Sequence, residues 1–221
     1  MGTTQELNGK ALNSKLGLLE HGNGVSGPPK VLSLLSSVLE RTIQKNERSL
    51  KASTKKDVVT IFHGSRAPAM TIRQYADRIF KYSTCSPSCF VVAYIYMDRF
   101  LQTTNAHLTS LNLHRLLITG VMLAAKFLDD EGYNNAHFAK VGGISTKEIN
   151  ELEMKFLFSI DFRLHVTLET FNKYCLELEE EATAKSRIGG SIPVSGSRHG
   201  RQNNDKFKRA PTIEGQSCTT V

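Results

Sequence analysis

Two charged residues stand where charge is costly. Lys126 lies inside Leu116–Leu128, read LLITGVMLAAKFL, a run that is apolar on every side of a helix. Glu153 falls on the apolar face of a later helical pattern, four residues after Ile149 and three before Phe156. A lysine so placed must snorkel out, lose its proton or meet a carboxylate, because an unpaired buried ammonium costs several kcal/mol or more. Glu153 is the acid placed to meet it, and the pair is expected inside the core. Such a pair does no catalysis; it staples two helices, and it can also hold a docking face in shape.

Other chemistries lack the residues they need. There is no phosphate-cradling glycine loop, no metal-ligand cluster and no nucleophile with a base at motif spacing. The seven histidines are scattered and read as surface or capping residues. Cys85, Cys89, Cys175 and Cys218 are too few and too dispersed for a disulfide framework, and no second Cys or His pair stands at zinc-finger spacing from Cys85 and Cys89. Reduced thiols follow, and neither enzyme activity, cofactor, metal nor small-molecule ligand is expected. Ser86-Pro87 is an N-cap followed by a first-turn proline, and equally the minimal target of a proline-directed kinase; the cap alone explains both residues.

The elements that must position these residues are helical throughout. Val31, Leu34, Leu35, Val38, Leu39 and Thr42 recur at helical spacing, with Glu40, Arg41, Lys45 and Glu47 facing away. A polar connection, SLKASTKKD, leads to VVTIFHGSRAPAM, whose apolar start suggests a further turn before glycine and proline break it. Met70 to Tyr82 carries a stripe of Ile72, Tyr75, Ala76, Ile79 and Phe80. The next helix runs through FVVAYIYMDRFLQ, where Asp98 and Arg99 are the only charges and at least one needs a fixed partner.

An all-apolar helix has no side to give to water, so Leu116–Leu128 must run through the middle of the domain. Beyond it Asn134 or Asn135 caps a short helix that Gly142-Gly143 stops. Ser145 and Glu148 then form a capping box, with Ile144 and Ile149 as a hydrophobic staple. Ile149, Leu152, Phe156, Leu157 and Ile160 build the face that carries Glu153, and Leu168, Phe171, Tyr174, Cys175 and Leu178 predict one more short helix. No segment reads as a strand.

Composition sets the outer limits. The 221 residues are 40% hydrophobic and hold no tryptophan, enough for one sizeable core. Residues 1–30 mix Gly, Asn, Ser and Pro and are expected to be a mobile leader, 31–178 the folded domain, and 179–221 a disordered basic tail. The basic character belongs to the end of the chain: from Ala182 onward seven Lys or Arg face two acids, a surplus of five out of the net +7, which leaves the remainder nearly balanced. Nucleic acid is therefore not an expected partner. The longest apolar run is too short to span a bilayer and contains Lys126, so no membrane helix is expected. Neither the polar start nor the terminal CTTV reads as a signal peptide or lipid anchor. The nucleus or cytoplasm is the expected compartment.

Several stretches together resemble the cyclin box: DRFL at Asp98–Leu101, AAKF at Ala124–Phe127, and LExxFLFxIxFxL from Leu152 to Leu164. FHG…P, IxxYxxRIxKY at Ile72–Tyr82 and NxxxFAKVGGISxxEINxLE from Asn134 to Glu153 resemble the single-box branch, which holds the phosphate-responsive cyclin of budding yeast and the plant P-type, or U-type, cyclins. The resemblance implies an all-α fold, a single five-helix cyclin box with an additional N-terminal helix, and an activating subunit of a cyclin-dependent kinase. It implies Lys126, Phe127, Glu153 and Leu157 at the kinase contact, with Asp98, Ser145 and Glu148 as structural members. Asp98 matches an aspartate that elsewhere pairs with an arginine of an MRAIL-like motif. Here that region reads APAMTIRQY and lacks the motif, leaving Arg73 and Arg78 as candidate partners. A second box is not expected. The rival reading is the nucleic-acid-binding cyclin fold of general transcription factors, whose two boxes and zinc ribbon are not read here.

Overall fold

The computed structural model describes residues 13–18, 27–53, 57–129 and 134–188, with side chains to residue 180. The elements are α1 (Lys30–Ala52), α2 (Ile72–Ser83), α3 (Ser88–Thr104), α4 (Leu113–Leu128), α5 (Asn135–Gly142), α6 (Thr146–Ser159) and α7 (Leu168–Ile188). No strand occurs among the described residues. Helices α2 to α6 are the expected five, α1 precedes them and α7 follows.

Helix α4 is the axis of the packing. Every residue from Leu116 to Ala125 is buried, and α3, α5 and α6 all lie against it. Its tightest neighbour is α3, because Gly120 faces Ala93: a Cβ on Gly120 would sit 3.3 Å from the Ala93 Cβ, so two small residues let the backbones approach. Thr119, buried in mid-helix, returns its hydroxyl to the Arg115 carbonyl at 2.8 Å and so leaves no orphan donor.

Local signals explain the helix ends. Thr71 and Gln74 make a reciprocal capping box on α2. Asn134, not Asn135, caps α5, and Gly143 at φ +73° closes it, with the Ile144 amide reaching the Ala139 carbonyl. Gly142 does more than stop a helix, since a Cβ there would meet Ile118 Cγ1 at 2.8 Å. Ser145 accepts the Glu148 amide at 3.0 Å, but the Glu148 carboxylate turns away to Arg115 at 2.7 Å. Only half of the expected capping box forms, because a charged partner on α4 outbids a backbone amide that water can satisfy.

Several expectations are corrected. Within the expected leader, residues 13–18 form a turn closed by Gly17 at φ +70°, and Leu16 and Leu18 join the core. Burying a leucine contributes about 1.5–3 kcal/mol, enough to order a short segment that composition alone marks as mobile. Helix α1 continues through SLKA to Ala52, and α7 continues past Leu178 to Ile188. The VVTIFHG stretch makes its expected turn just before Gly64, closed by the His63 amide on the Thr60 carbonyl at 3.0 Å, and Phe62 lies in the core between Phe100 and Phe156, with ring centroids 4.8 and 5.7 Å away. Ser86 does not cap α3 with its side chain. The N-cap position falls on Pro87, and the Ser86 hydroxyl lies 3.4 Å from Cys89 Sγ.

Candidate partner-binding surface

The core ends at Ala125, one residue before the lysine. Lys126, Phe127 and Leu128 make up the last turn of α4 and are exposed, so Lys126 stands on the rim of the domain and not inside it. This corrects the expected sealed pair: the ammonium both snorkels and meets its carboxylate. Nζ donates to Glu153 Oε1 at 2.6 Å, with the lysine side chain 35% exposed and the glutamate 15%. The second oxygen of Glu153 is also occupied. Asn135 Nδ2, from the first turn of α5, donates to Oε2 at 2.6 Å and to Asn150 Oδ1 at 2.7 Å. One carboxylate therefore ties together the C-terminus of α4, the N-terminus of α5 and the middle of α6.

Several large apolar side chains of the last turn of α4 and the C-terminal end of α6 are open to solvent. Phe127 is 49% exposed, Phe158 64% and Phe162 52%. Leu157, one turn along α6 from Glu153, is half-buried and packs against the core. Phe158 and Phe162 meet edge to face with centroids 5.2 Å apart. Their meeting is built by backbone: Asp161 and Phe162 both take positive φ, +55° and +52°, which folds the chain back so that the Phe162 amide reaches the Leu157 carbonyl at 2.9 Å. Non-glycine residues in that region store strain, about 1 kcal/mol or more each. Phe158, Phe162 and the exposed Met154 were not singled out by sequence, although one signal was there. Residues two apart on a helix point about 200° apart, so an inward Phe156 forces Phe158 outward.

The cyclin family model matches residues 29–164, well over half of the chain. This protein is a member of the cyclin family. It is 61% identical over 153 residues to Cyclin-P3-1 of Oryza sativa subsp. japonica, a match spanning 69% of this chain and 65% of that relative. It is 52% identical over 167 residues to Cyclin-U3-1 of Arabidopsis thaliana, 76% of each chain, and 54% identical over 155 residues to Cyclin-U4-1 of the same plant, 70% of this chain and 77% of the relative.

Within the cyclin box, the side chains that hold the surface come from α3 and α4. Tyr96 donates to the Leu164 carbonyl at 2.7 Å, and Arg99 bridges the carbonyls of Arg163 and His165 at 2.5 and 3.1 Å. These bonds pin the segment that presents Phe162. Burial pushes the Tyr96 phenol up to about 12, which keeps it a donor. Asp98 pairs with neither candidate arginine. Its carboxylate accepts from Tyr174 of α7 at 2.5 Å and Gln102 at 2.7 Å, while Arg73 pairs with Asp77 and Arg78 donates to the Val141 and Lys140 carbonyls. Burial and the Asp98 bond push the Tyr174 phenol up. Without an MRAIL-like arginine on α2, the aspartate takes a neutral donor from α7.

Asp129, the C-cap of α4, is held from the opposite side. Its Oδ2 accepts the Ser86 amide at 3.0 Å and the Cys89 thiol at 3.3 Å. Bonding to Cys85 and burial push the Cys89 thiol up, so it stays protonated as that donor. Among the described residues no cluster of His, Cys, Asp or Glu could hold a metal ion, and no helix is long and apolar enough to cross a membrane.

Proposed function

We propose that this cyclin is the regulatory, non-catalytic subunit of a cyclin-dependent serine/threonine kinase, acting in cell-cycle or nutrient-linked control. The observation that carries the reading is the exposure of Phe127, next in sequence to the clamped Lys126, together with the exposed Phe158–Phe162 pair at the end of the helix that bears Glu153. Aromatic side chains so presented are the usual anchors of a protein interface. A lysine on the rim keeps donors beyond the one given to Glu153, and these are available to the carbonyls at a partner helix end.

The mechanism follows from what an inactive kinase lacks. Its C-helix glutamate has swung away from the lysine that orients the ATP phosphates, and activity requires that helix held inward. A rigid face that contacts only the inward position shifts the equilibrium by the difference in contact energy. The clamp and the α3 tethers keep this face rigid before binding, which lowers the ordering cost of association.

The test is the affinity of the full chain for cyclin-dependent kinases of the source organism, beside its Phe127→Ala and Phe158→Ala variants. Each variant should lose about 2 kcal/mol of binding, about thirtyfold, with a nearly unchanged melting temperature. Wild-type affinity in both variants overturns the assignment of the surface.

A further inference from the structure

We propose that Ser86 is a phosphorylation site through which a proline-directed serine/threonine kinase loosens the docking end of α4. The inference rests on the kinase-docking reading for its functional consequence, though not for its structural one. Ser86 precedes Pro87 in the non-helical turn between α2 and α3, and its half-buried hydroxyl is not spent on a helix cap. Its surroundings give the modification an effect. The same Asp129 oxygen accepts both the Ser86 amide and the Cys89 thiol, and the Ser86 hydroxyl lies 3.4 Å from that thiol sulfur. A phosphoryl group on Ser86 Oγ thus sits a few ångströms from a carboxylate.

In the transfer, the bond from the γ-phosphorus of ATP to the β-phosphate oxygen breaks and a bond to Ser86 Oγ forms. The hydroxyl proton passes to the base of the modifying kinase, and ADP leaves. The product carries about −1.5 to −2 charge at neutral pH beside a residue that is already negative. Asp129 is then driven off the Ser86 amide. As the C-cap of α4, whose amide closes the last turn on the Ala125 carbonyl at 3.0 Å, it follows directly on the turn that holds Lys126 and Phe127. Losing the anchor frays that turn and blurs the surface it presents.

The full chain is incubated with a purified proline-directed kinase and ATP, the site is mapped by mass spectrometry, and amide hydrogen exchange is followed with affinity for the partner kinase. Stoichiometric phosphate on Ser86, exchange at residues 126–129 at least tenfold faster, and at least tenfold weaker kinase binding are expected. Ser86→Ala should show none of these changes, and phosphorylated Asp129→Asn should show a much smaller rise in exchange. Modification of an isolated peptide of this sequence but not of the folded chain overturns the proposal, as does a phosphorylated chain with unaltered exchange. If the unmodified chain binds no kinase while exchange still rises on phosphorylation, the docking reading fails and the structural switch stands.

Discussion

Glu153 accepts the Lys126 ammonium at 2.6 Å while the lysine side chain remains 35% exposed, which makes the pair a clamp on the rim of the domain. A sealed pair broken on one side costs about 3–5 kcal/mol, and a fully exposed one about 0–1. Partial exposure, with the Asn135 bond lost as well, puts Glu153→Ala at about 1–2 kcal/mol, a few degrees in melting temperature. Thermal unfolding checks this, and a loss above about 3 kcal/mol would mean the ammonium is effectively dry.

Phe62 lies at the other extreme of burial. It is fully enclosed, edge-on to both Phe100 and Phe156. Phe62→Ala should cost about 3–5 kcal/mol by urea unfolding. A loss under about 1 kcal/mol would show that the segment bearing it is only loosely attached.

Tyr174→Phe removes the donor that reaches Asp98 from α7 and leaves Gln102 alone on the carboxylate. We expect about 1–2 kcal/mol of destabilisation. A double-mutant cycle with Asp98→Asn should show coupling, and one pairing Asp98→Asn with Arg73→Ala should be additive. The reverse pattern would restore the arginine as the aspartate's partner.

His114 predicts a pH dependence. Burial holds its imidazolium below the ordinary histidine value against the opposing bond to the Met70 carbonyl, and Nδ1 is buried without a partner. Because the folded pKa is the lower one, the unfolded chain binds more protons once pH drops below about 6.5. The stability is present above that value and is lost as pH falls toward the folded pKa. Melting temperature should therefore fall from pH 7 to pH 5, and less steeply in His114→Gln; parallel curves for the two proteins would rule the histidine out.

Sequence made the centre of the fold readable and its edges less so. The run around Gly120 could only be a core helix, and Ser145 could only begin one, because each signal is local and decided by a few neighbours. The same locality hid what depends on distant partners. Nothing near Asp98 points to a tyrosine on α7, and nothing in VVTIFHG says that Phe62 alone turns inward while Val59 stays 79% exposed. The site was half legible for a similar reason. Phe127 stands at a visible exit from an apolar run, whereas Phe162 is aimed by two left-handed residues, Asp161 and Phe162 itself, that carry no glycine or asparagine to announce them.

The turn at residues 13–18 bears on how the chain folds as it is made. Lys15 lies 3.4 Å from Glu179 on α7, and Leu16 is buried in the core that α7 helps to close with Cys175 and Leu178. The lysine of the pair is largely solvated and the ion pair contributes little, but it marks a contact between residues far apart in the sequence. Such a contact cannot form during synthesis until α7 has left the ribosome. The N-terminal leucines must wait for the last helix, and this docking is a late step whose loop-closure cost comes due after the central helices have assembled.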